Sequence, residues 1–599
     1  MTSTSQLPHW DMQVVYPALE SPEFEHDFQQ LLNEISALAE LFERHAVGQH
    51  DATVLDDTTI MAFEAVTNAM NTMIDHARVI QAYIYSFVAT NSRDNNAQAR
   101  MSTFQQEGVR LSQLSTRFVA WIGSLDIETL IERSPVAAEH AFMLRRAHQQ
   151  ARHLMSPAEE ALTAELNLNG AIAWGQLHSN LTSQLSVTLE LDGEARRMPM
   201  SAIRNLASSS DRTIRRQAYQ AELAAWEQAA LPLAAALNSI KGQVGILARR
   251  RGWHSPLDAA LFENNIDRAT LDAMLTAARE SFPDFRRYLH AKARLMGVER
   301  LAWYDLFAPV GGGDRSWEYA EAGEFIVAQF GKYSLRLSEF AARAFNEGWI
   351  DAEPRSGKVD GAFCMRLRRD ESRILANFTP SVKSVLTLAH ELGHAYHNLN
   401  LAQQTIVNQD TPMTLAETAS IFCETIVRRA ALLEAPPAEQ LEILEASLVG
   451  ATQVVVDITS RFLFEQQVFD GRQRRALSID ELNNAMLTAQ QATYGDALDP
   501  AELHPYMWAA KGHYYSGGRS FYNYPYMFGL LFGLGLYAIY LREPESFHAR
   551  YDKLLSSTGL ANAATLAAQM GIDIRTPDFW RASLAIIRED IDRFVELAQ

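Results

Sequence analysis

Residues 377–401 read NFTPSVKSVLTLAHELGHAYHNLNL, and the reading of this stretch decides the fold around it. Val382, Val385, Leu386, Ala389, Gly393 and Tyr396 recur at three- and four-residue spacing, the period of an amphipathic helix. Thr379 suits the N-cap and Pro380 the first helical position, so the helix is expected to start there. Inside it lies His390-Glu391-Leu392-Gly393-His394. Residues four apart sit one turn apart on one face, so two imidazoles there can share one tetrahedral ion. Glu391 stands beside the first ligand and can reach a water at that ion without binding the ion itself. The bland alternative is a pair of surface histidines. The two sit toward the apolar side, where such groups would need other partners. The motif therefore points to zinc, one ion per chain, with His390 and His394 as ligands and Glu391 as general base. His397, on a nearby face, either orients a ligand or substrate or, the preferred reading, is an ordinary satisfied histidine.

A catalytic zinc takes a third protein ligand and keeps a position open. Downstream, residues 411–429 read TPMTLAETASIFCETIVRR, and Pro412 with the run from Leu415 predicts a second helix. Asp410, Glu417 and Glu424 are the candidates. Asp410 falls in the turn before the helix. Glu417 is followed by small Ala419 and Ser420, which permit close packing against another helix, and Gly393 offers a matching small spot. Thr414-Leu415-Ala416-Glu417 also has the form of a capping box, in which Glu417 would only satisfy a backbone N–H. Glu424, seven residues on, shares a face with Glu417. It either accepts a hydrogen bond from a ligating histidine or pairs with Arg428 one turn later.

Outward from the motif the chain is mostly helix. From about Phe24 to Glu165 apolar residues recur at helical spacing, as in NAMNTMIDHARVIQAYIYSFVAT at residues 68–90, and Gly and Pro are scarce. At residues 183–200, SQLSVTLELDGEARRMPM alternates Leu185, Val187, Leu189 and Leu191 with polar residues, and Asp192-Gly193 supplies a hairpin turn. An N-terminal helical region, 1–200, is expected to end there, with the catalytic domain at 201–599. Helical patterning resumes at Ala202 and continues to about Arg294. Arg249-Arg250-Arg251 before Gly252 reads as a helix C-terminus, where cations suit the dipole. Pro309 and Gly311-Gly312-Gly313 mark a loop, without the following residues of a phosphate-binding loop. GAFCMRLRR, a polar DES turn and RILANF, residues 361–378, predict a second hairpin directly before the motif. A strand edge can hold a peptide by main-chain hydrogen bonds, and the strand around Ala376-Asn377 is expected to align one.

Composition closes off other classes. The 599 residues are 47% hydrophobic and 10% aromatic, enough for a large core. A net charge of −19 argues against a nucleic-acid partner. Two cysteines, Cys364 and Cys423, make no disulfide framework and fit a reducing cytoplasm. The opening MTSTSQLPHWDMQ has no secretory-signal pattern. Residues 520–541 carry no charge. Their glycines and their polar aromatic start make a buried core helix the expectation, not a membrane span.

HELGHAYH at 390–397, LAETASIFCE at 415–424 and HYYSGGRSFYNYPYMFG at 513–529 together resemble the oligoendopeptidase F and thimet oligopeptidase family of zinc peptidases. The opening WDMQVVYPALESPEF is similar to oligoendopeptidase F-type members. The resemblance implies that Glu417 is the third zinc ligand, and that His513 and Tyr526 stabilise the transition state. Tyr522 and Tyr524 stand beside them as substrate contacts. It implies a mainly α fold: an elongated helical body, a deep substrate channel, and small β-hairpins near the zinc. It implies an endopeptidase of short, unstructured oligopeptides. The alternatives are a zinc carboxypeptidase or dipeptidyl peptidase, with Arg519 as a terminal-carboxylate clamp, and a silent peptide-binding protein.

Overall fold

The computed structural model describes residues 7–50, 53–191, 193–311 and 315–599. Asp192 of the expected hairpin turn and Gly312 and Gly313 of the glycine loop lie outside the described residues. The chain is mainly α, with two small sheets among the described residues.

Three long N-terminal helices, Pro22–Arg44, Asp57–Thr90 and Asn95–Gly123, start on Ser21, Asp56 and Asp94, whose side chains each accept a backbone N–H of the first turn. Phe24, Phe28, Leu31, Ile35, Leu38 and Phe42 form the buried stripe of the first. They share a core with Phe63, Ile80 and Tyr83 of the second, and with Leu367 from the sheet beside the motif. The N-terminal helices thus reach one wall of the site.

The first hairpin pairs β1, Ser186–Leu191, with β2, Glu194–Pro199. Gly193 takes a left-handed φ of 79° in its turn, where a Cβ would be strained. Leu189 and Leu191 share an apolar cluster with Ile203 and Trp226, so the packing continues across Met200. The basic run ends the helix Arg212–Arg250, with Arg251 as C-cap and Gly252 at φ 73°.

The second sheet has order β3-β5-β4, where β3 is Ile350–Asp351, β4 is Phe363–Arg368 and β5 is Glu371–Leu375. β4 and β5 form the expected hairpin, but its turn falls on Arg369-Asp370, one residue before the DES triplet. The parallel strand β3 pairs with the other side of β5. β5 is therefore central, and β3 and β4 are the edges.

The motif helix spans Val382–Leu401. Its cap is Ser381, which accepts from the Ser384 N–H, and not Thr379. Pro380 consequently lies before the helix. Across from it packs the helix Thr418–Glu434. A Cβ on Gly393 would lie 2.6 Å from the Ala419 carbonyl oxygen and 2.6 Å from Ser420 Cα, so only glycine permits this approach.

The apolar segment forms the helix Tyr524–Arg542. By length and composition it could cross a membrane, yet 72% of its apolar window is buried inside this protein. Its glycines explain the packing. A Cβ on Gly529 would meet Glu417 Cβ at 2.6 Å, one on Gly533 would meet Ile421 Cβ at 2.8 Å, and one on Gly535 would meet the Phe579 ring at 2.4 Å. Two neighbouring segments, the start of the helix Thr418–Glu434 with its cap Glu417 and the helix Pro577–Leu597, close on this helix at positions with no side chain, as in a protein core.

Candidate active site

His390 and His394 project from one face of the motif helix, with ring centroids 4.9 Å apart and nearly perpendicular. Glu417 comes from the other side. A short helical turn, Met413–Ala416, ends there, and the helix Thr418–Glu434 begins one residue later. The break turns the Glu417 carboxylate toward the histidines. Its Oε2 lies 3.2 Å from His390 Nε2 and 3.3 Å from His394 Nε2. Ser420 Oγ donates to the same oxygen at 2.8 Å. The ligand-type atoms of these three residues lie within 4.8 Å of one another, the one such cluster among the described residues. The capping-box alternative does not form, because Pro412 caps the turn and Glu417 makes no side-chain cap bond. Asp410 stands outside the cluster.

Glu424 accepts from His390 Nδ1 at 2.9 Å. Its other expected partner, Arg428, is taken by Asp590. Burial disfavours charge on His390, but Glu417 and Glu424 override it and hold the imidazolium up to about 10. Burial acts on Glu417 in the opposite sense, and hydrogen bonds to His390 and His394 outweigh it, leaving the carboxyl well below its usual range.

Glu391 is 6% exposed, and its Oε2 is buried without a hydrogen-bond partner. Burial raises its carboxyl, and His394 and His390 oppose the rise. A buried orphan carboxylate oxygen is costly, and here it stands one residue from a set of two imidazoles and one carboxylate, the donor set of a mononuclear catalytic metal. The residues fit such a metal. His397 is buried, bonds to Thr558 Oγ1 at 2.9 Å, and is pulled down to about 3, chiefly by burial. It is a satisfied core histidine, as its sequence position suggested.

Tyr522 and Tyr526 join through their hydroxyls at 2.7 Å. Burial and the Tyr522 hydroxyl raise the Tyr526 phenol, and the Glu417 charge adds to the rise. Tyr524 is a correction. One position on from Asn523 in the helix, it turns into the core, is 1% exposed, and donates to the Ala260 carbonyl at 2.9 Å. Ala376 is a second correction, while Asn377 is engaged through its side chain. The Ala376 N–H donates to the Asp351 carbonyl, its carbonyl accepts from Lys358 Nζ at 2.6 Å, and the Asn377 amide donates to the Val359 and Gly361 carbonyls. The main-chain groups of Ala376 are thus spent inside the protein, as is the Asn377 side-chain amide N–H.

His513 is oriented by a relay that its own segment does not reveal. Arg461 Nη1 donates to Asn523 Oδ1 at 3.3 Å, which turns the amide so that Nδ2 donates to His513 Nε2 at 2.7 Å. Arginine can only donate, so the amide has one orientation and His513 carries its proton on Nδ1. Burial, with Arg461 and Lys511 nearby, pulls His513 down to about 2, so it is neutral. Arg461 is itself held by Asp457, the last residue of a π-helical turn, Gln453–Asp457. The adjacency of Asn523 to Tyr522 was the only sequence signal for this relay.

Two cavities lie by the site. One of about 410 Å³ is lined by Arg78, Arg366, His394 and Gln409. The other, about 670 Å³, is lined by Trp253, Phe262, Arg519 and Tyr522. Thr411 lines both; the first reaches the cluster at His394, and the second reaches the tyrosine pair at Tyr522.

Comparison with known proteins agrees with this geometry. The model of peptidase family M3 matches residues 328–586, and that of oligopeptidase F matches residues 122–186. The chain is 26% identical over 541 residues to the group B oligopeptidase PepB of Streptococcus agalactiae, covering 87% of each. It is 22% identical over 609 residues to an oligoendopeptidase F homolog of Lactococcus lactis, covering 98% of this chain and 97% of that one. Its fold matches the crystal structure of oligoendopeptidase-F from Enterococcus faecium with a TM-score of 0.70 at 19% identity, over 96% of this chain and 98% of the other. A likeness at that identity speaks for the fold. Together with the family matches and the converging His390, His394 and Glu417, it makes the chain a metallopeptidase that belongs to peptidase family M3, in its oligoendopeptidase F branch.

Proposed function

We propose that this protein is a zinc-dependent endopeptidase that cuts internal bonds of short, unstructured oligopeptides. The observation that carries the reading is the orphaned Glu391 Oε2 beside the cluster His390, His394 and Glu417. His390, His394 and Glu417 would hold one zinc per chain. When bound, zinc would lower the pKa of a water toward neutrality and polarise a carbonyl. Glu391 takes the proton of the attacking water and passes it to the leaving amine. Its raised carboxyl suits a group that must bind a proton and release it. Tyr526 donates its phenolic O–H to the developing oxyanion, and neutral His513 can donate through Nδ1. Tyr522 fixes the direction of the Tyr526 hydroxyl through their hydrogen bond. A cavity at His394 and another at Tyr522, which share Thr411, leave room for peptide on both sides of a cut. Two cysteines outside any disulfide suit a cytoplasmic site of action.

The test is a length series of end-blocked peptides, with products mapped by mass before and after chelation and after zinc is restored. Internal cuts that stop with chelator and return with zinc are expected. Release of terminal residues only, from free-ended peptides only, would replace this reading with that of an exopeptidase.

A further inference from the structure

Beside His394 the protein holds two largely buried arginines that have no carboxylate partner. Arg366 projects from the edge strand β4, and Arg78 from the helix Asp57–Thr90. Both guanidiniums donate to one neutral acceptor, Oε1 of Gln409. That amide is oriented by its own Nε2, which donates to the Gln404 carbonyl at 2.7 Å. Arg366 Nη2 adds the Asn398 carbonyl at 3.0 Å and the Asn398 Oδ1 at 3.4 Å, while its Nε is buried with no partner. Among the described residues, neither arginine has a carboxylate oxygen within 4.0 Å. Three other buried cations differ: Lys241 meets Glu465 at 2.6 Å, Lys292 meets Glu445 at 2.5 Å, and Arg215 meets Asp305 at 3.0 Å.

Two like charges drawn to one amide oxygen repel each other and have given up water. Burial, followed by the charge of Arg78, pulls Arg366 down to about 10. Burial also lowers Arg78, and Asp410 and Asp75 act on it only through space. A carboxylate brought into this cavity answers both charges, and its two oxygens match the planar donors of arginine. Gln409 supplies no charge, so the anion must come from a ligand.

We propose that Arg78 and Arg366 form a carboxylate-binding subsite of the active site, which takes a negatively charged group of the peptide and so sets which bond reaches His390, His394 and Glu417. This rests on the peptidase reading above. The carboxylate comes from one of two sources, the peptide C-terminus or an acidic side chain. In the first case the cut falls at a fixed distance from the end. In the second it follows the position of Asp or Glu.

The experiment uses matched peptides that differ in one group: free C-terminal acid against amide, and internal Glu against Gln. In the wild-type protein we expect kcat/KM to fall about tenfold or more in one of the two pairs, mainly through KM, and the pair that responds names the source. Arg78→Gln, Arg366→Gln and the double variant, checked for a wild-type melting transition, should reduce that ratio to within about twofold. Arg78→Lys should retain part of it. Calorimetric titration of the same pairs into zinc-loaded Glu391→Gln reads binding without turnover, so the subsite is tested even where no peptide is cut. Equal binding and equal kcat/KM in both pairs would overturn the subsite and leave the peptidase reading standing. So would discrimination that survives in a folded double variant.

Discussion

His390 Nδ1 lies 2.9 Å from Glu424 Oε2, while Nε2 of the same ring faces Glu417 at 3.2 Å. Glu424 thus fixes the tautomer that leaves Nε2 free to ligate. Partners of this kind typically contribute 10- to 100-fold to metal affinity. Glu424→Ala is expected to weaken zinc binding by about that factor, measured by competition with a chelating dye. Glu424→Gln should lose less, because an amide oxygen still accepts from Nδ1. An unchanged affinity in Glu424→Ala would remove this role.

Metal binding should be strongly pH-dependent. His390 holds its proton up to about 10 in the metal-free site, and a ligating Nε2 must give it up. Protons therefore compete with metal. Across the neutral range each unit of falling pH should cost about tenfold in apparent affinity, the slope of one released proton. Calorimetry in buffers of different ionisation enthalpy should count that proton. A flat affinity between about pH 6.5 and 8.5 would contradict the assignment.

The glycines at the helix crossings give a stability test of opposite sign to helix propensity. Propensity alone says that Gly→Ala in a helix stabilises by about 1 kcal/mol. Gly393→Ala instead drives a Cβ against the Ala419 carbonyl at 2.6 Å, and Gly529→Ala drives one against Glu417 Cβ at 2.6 Å. Each should destabilise by about 1–3 kcal/mol in denaturant unfolding, and Gly529→Ala should also weaken metal binding by shifting Glu417. Stabilisation in either variant would mean that the helices do not approach this closely.

For the tyrosine pair, Tyr526→Phe should lower kcat by about 10²–10³ with little change in KM, the usual effect of losing one oxyanion donor. Tyr522→Phe should cost less, since its hydroxyl acts on Tyr526. Asn523→Leu removes the donor at His513 Nε2 and should lower kcat in the same direction. Steady-state kinetics on one peptide decides the order, and a larger loss for Tyr522→Phe would exchange the two roles.

Much of the site was legible because its logic is local. His390, Glu391 and His394 lie on one helix, so spacing alone places them together, and the small residues at 393, 419 and 420 announce the crossing that brings Glu417 over. Local pattern fails where the partner is remote. Nothing near Ala376 shows that β3, Ile350–Asp351, pairs beyond it and makes β5 central. Nor does the FYNYPY run show which phenols face inward. Periodicity does not separate Tyr524, bonded to Ala260, from Tyr526, bonded to Tyr522. The Arg461–Asn523–His513 relay joins segments that only the packed core juxtaposes. The helices were easier to read, since Leu, Ala, Glu and Gln at helical spacing need no distant partner.

The most direct test of the central claim compares wild type with Glu391→Gln for two quantities measured together, zinc per chain and turnover of one internally cut peptide. Both proteins should bind one zinc with similar affinity, because Glu391 is not in the ligand cluster. Turnover should fall in Glu391→Gln by about 10²–10⁴, the contribution of a general base. Wild-type turnover in Glu391→Gln, or wild-type turnover that persists after zinc is stripped, would contradict it.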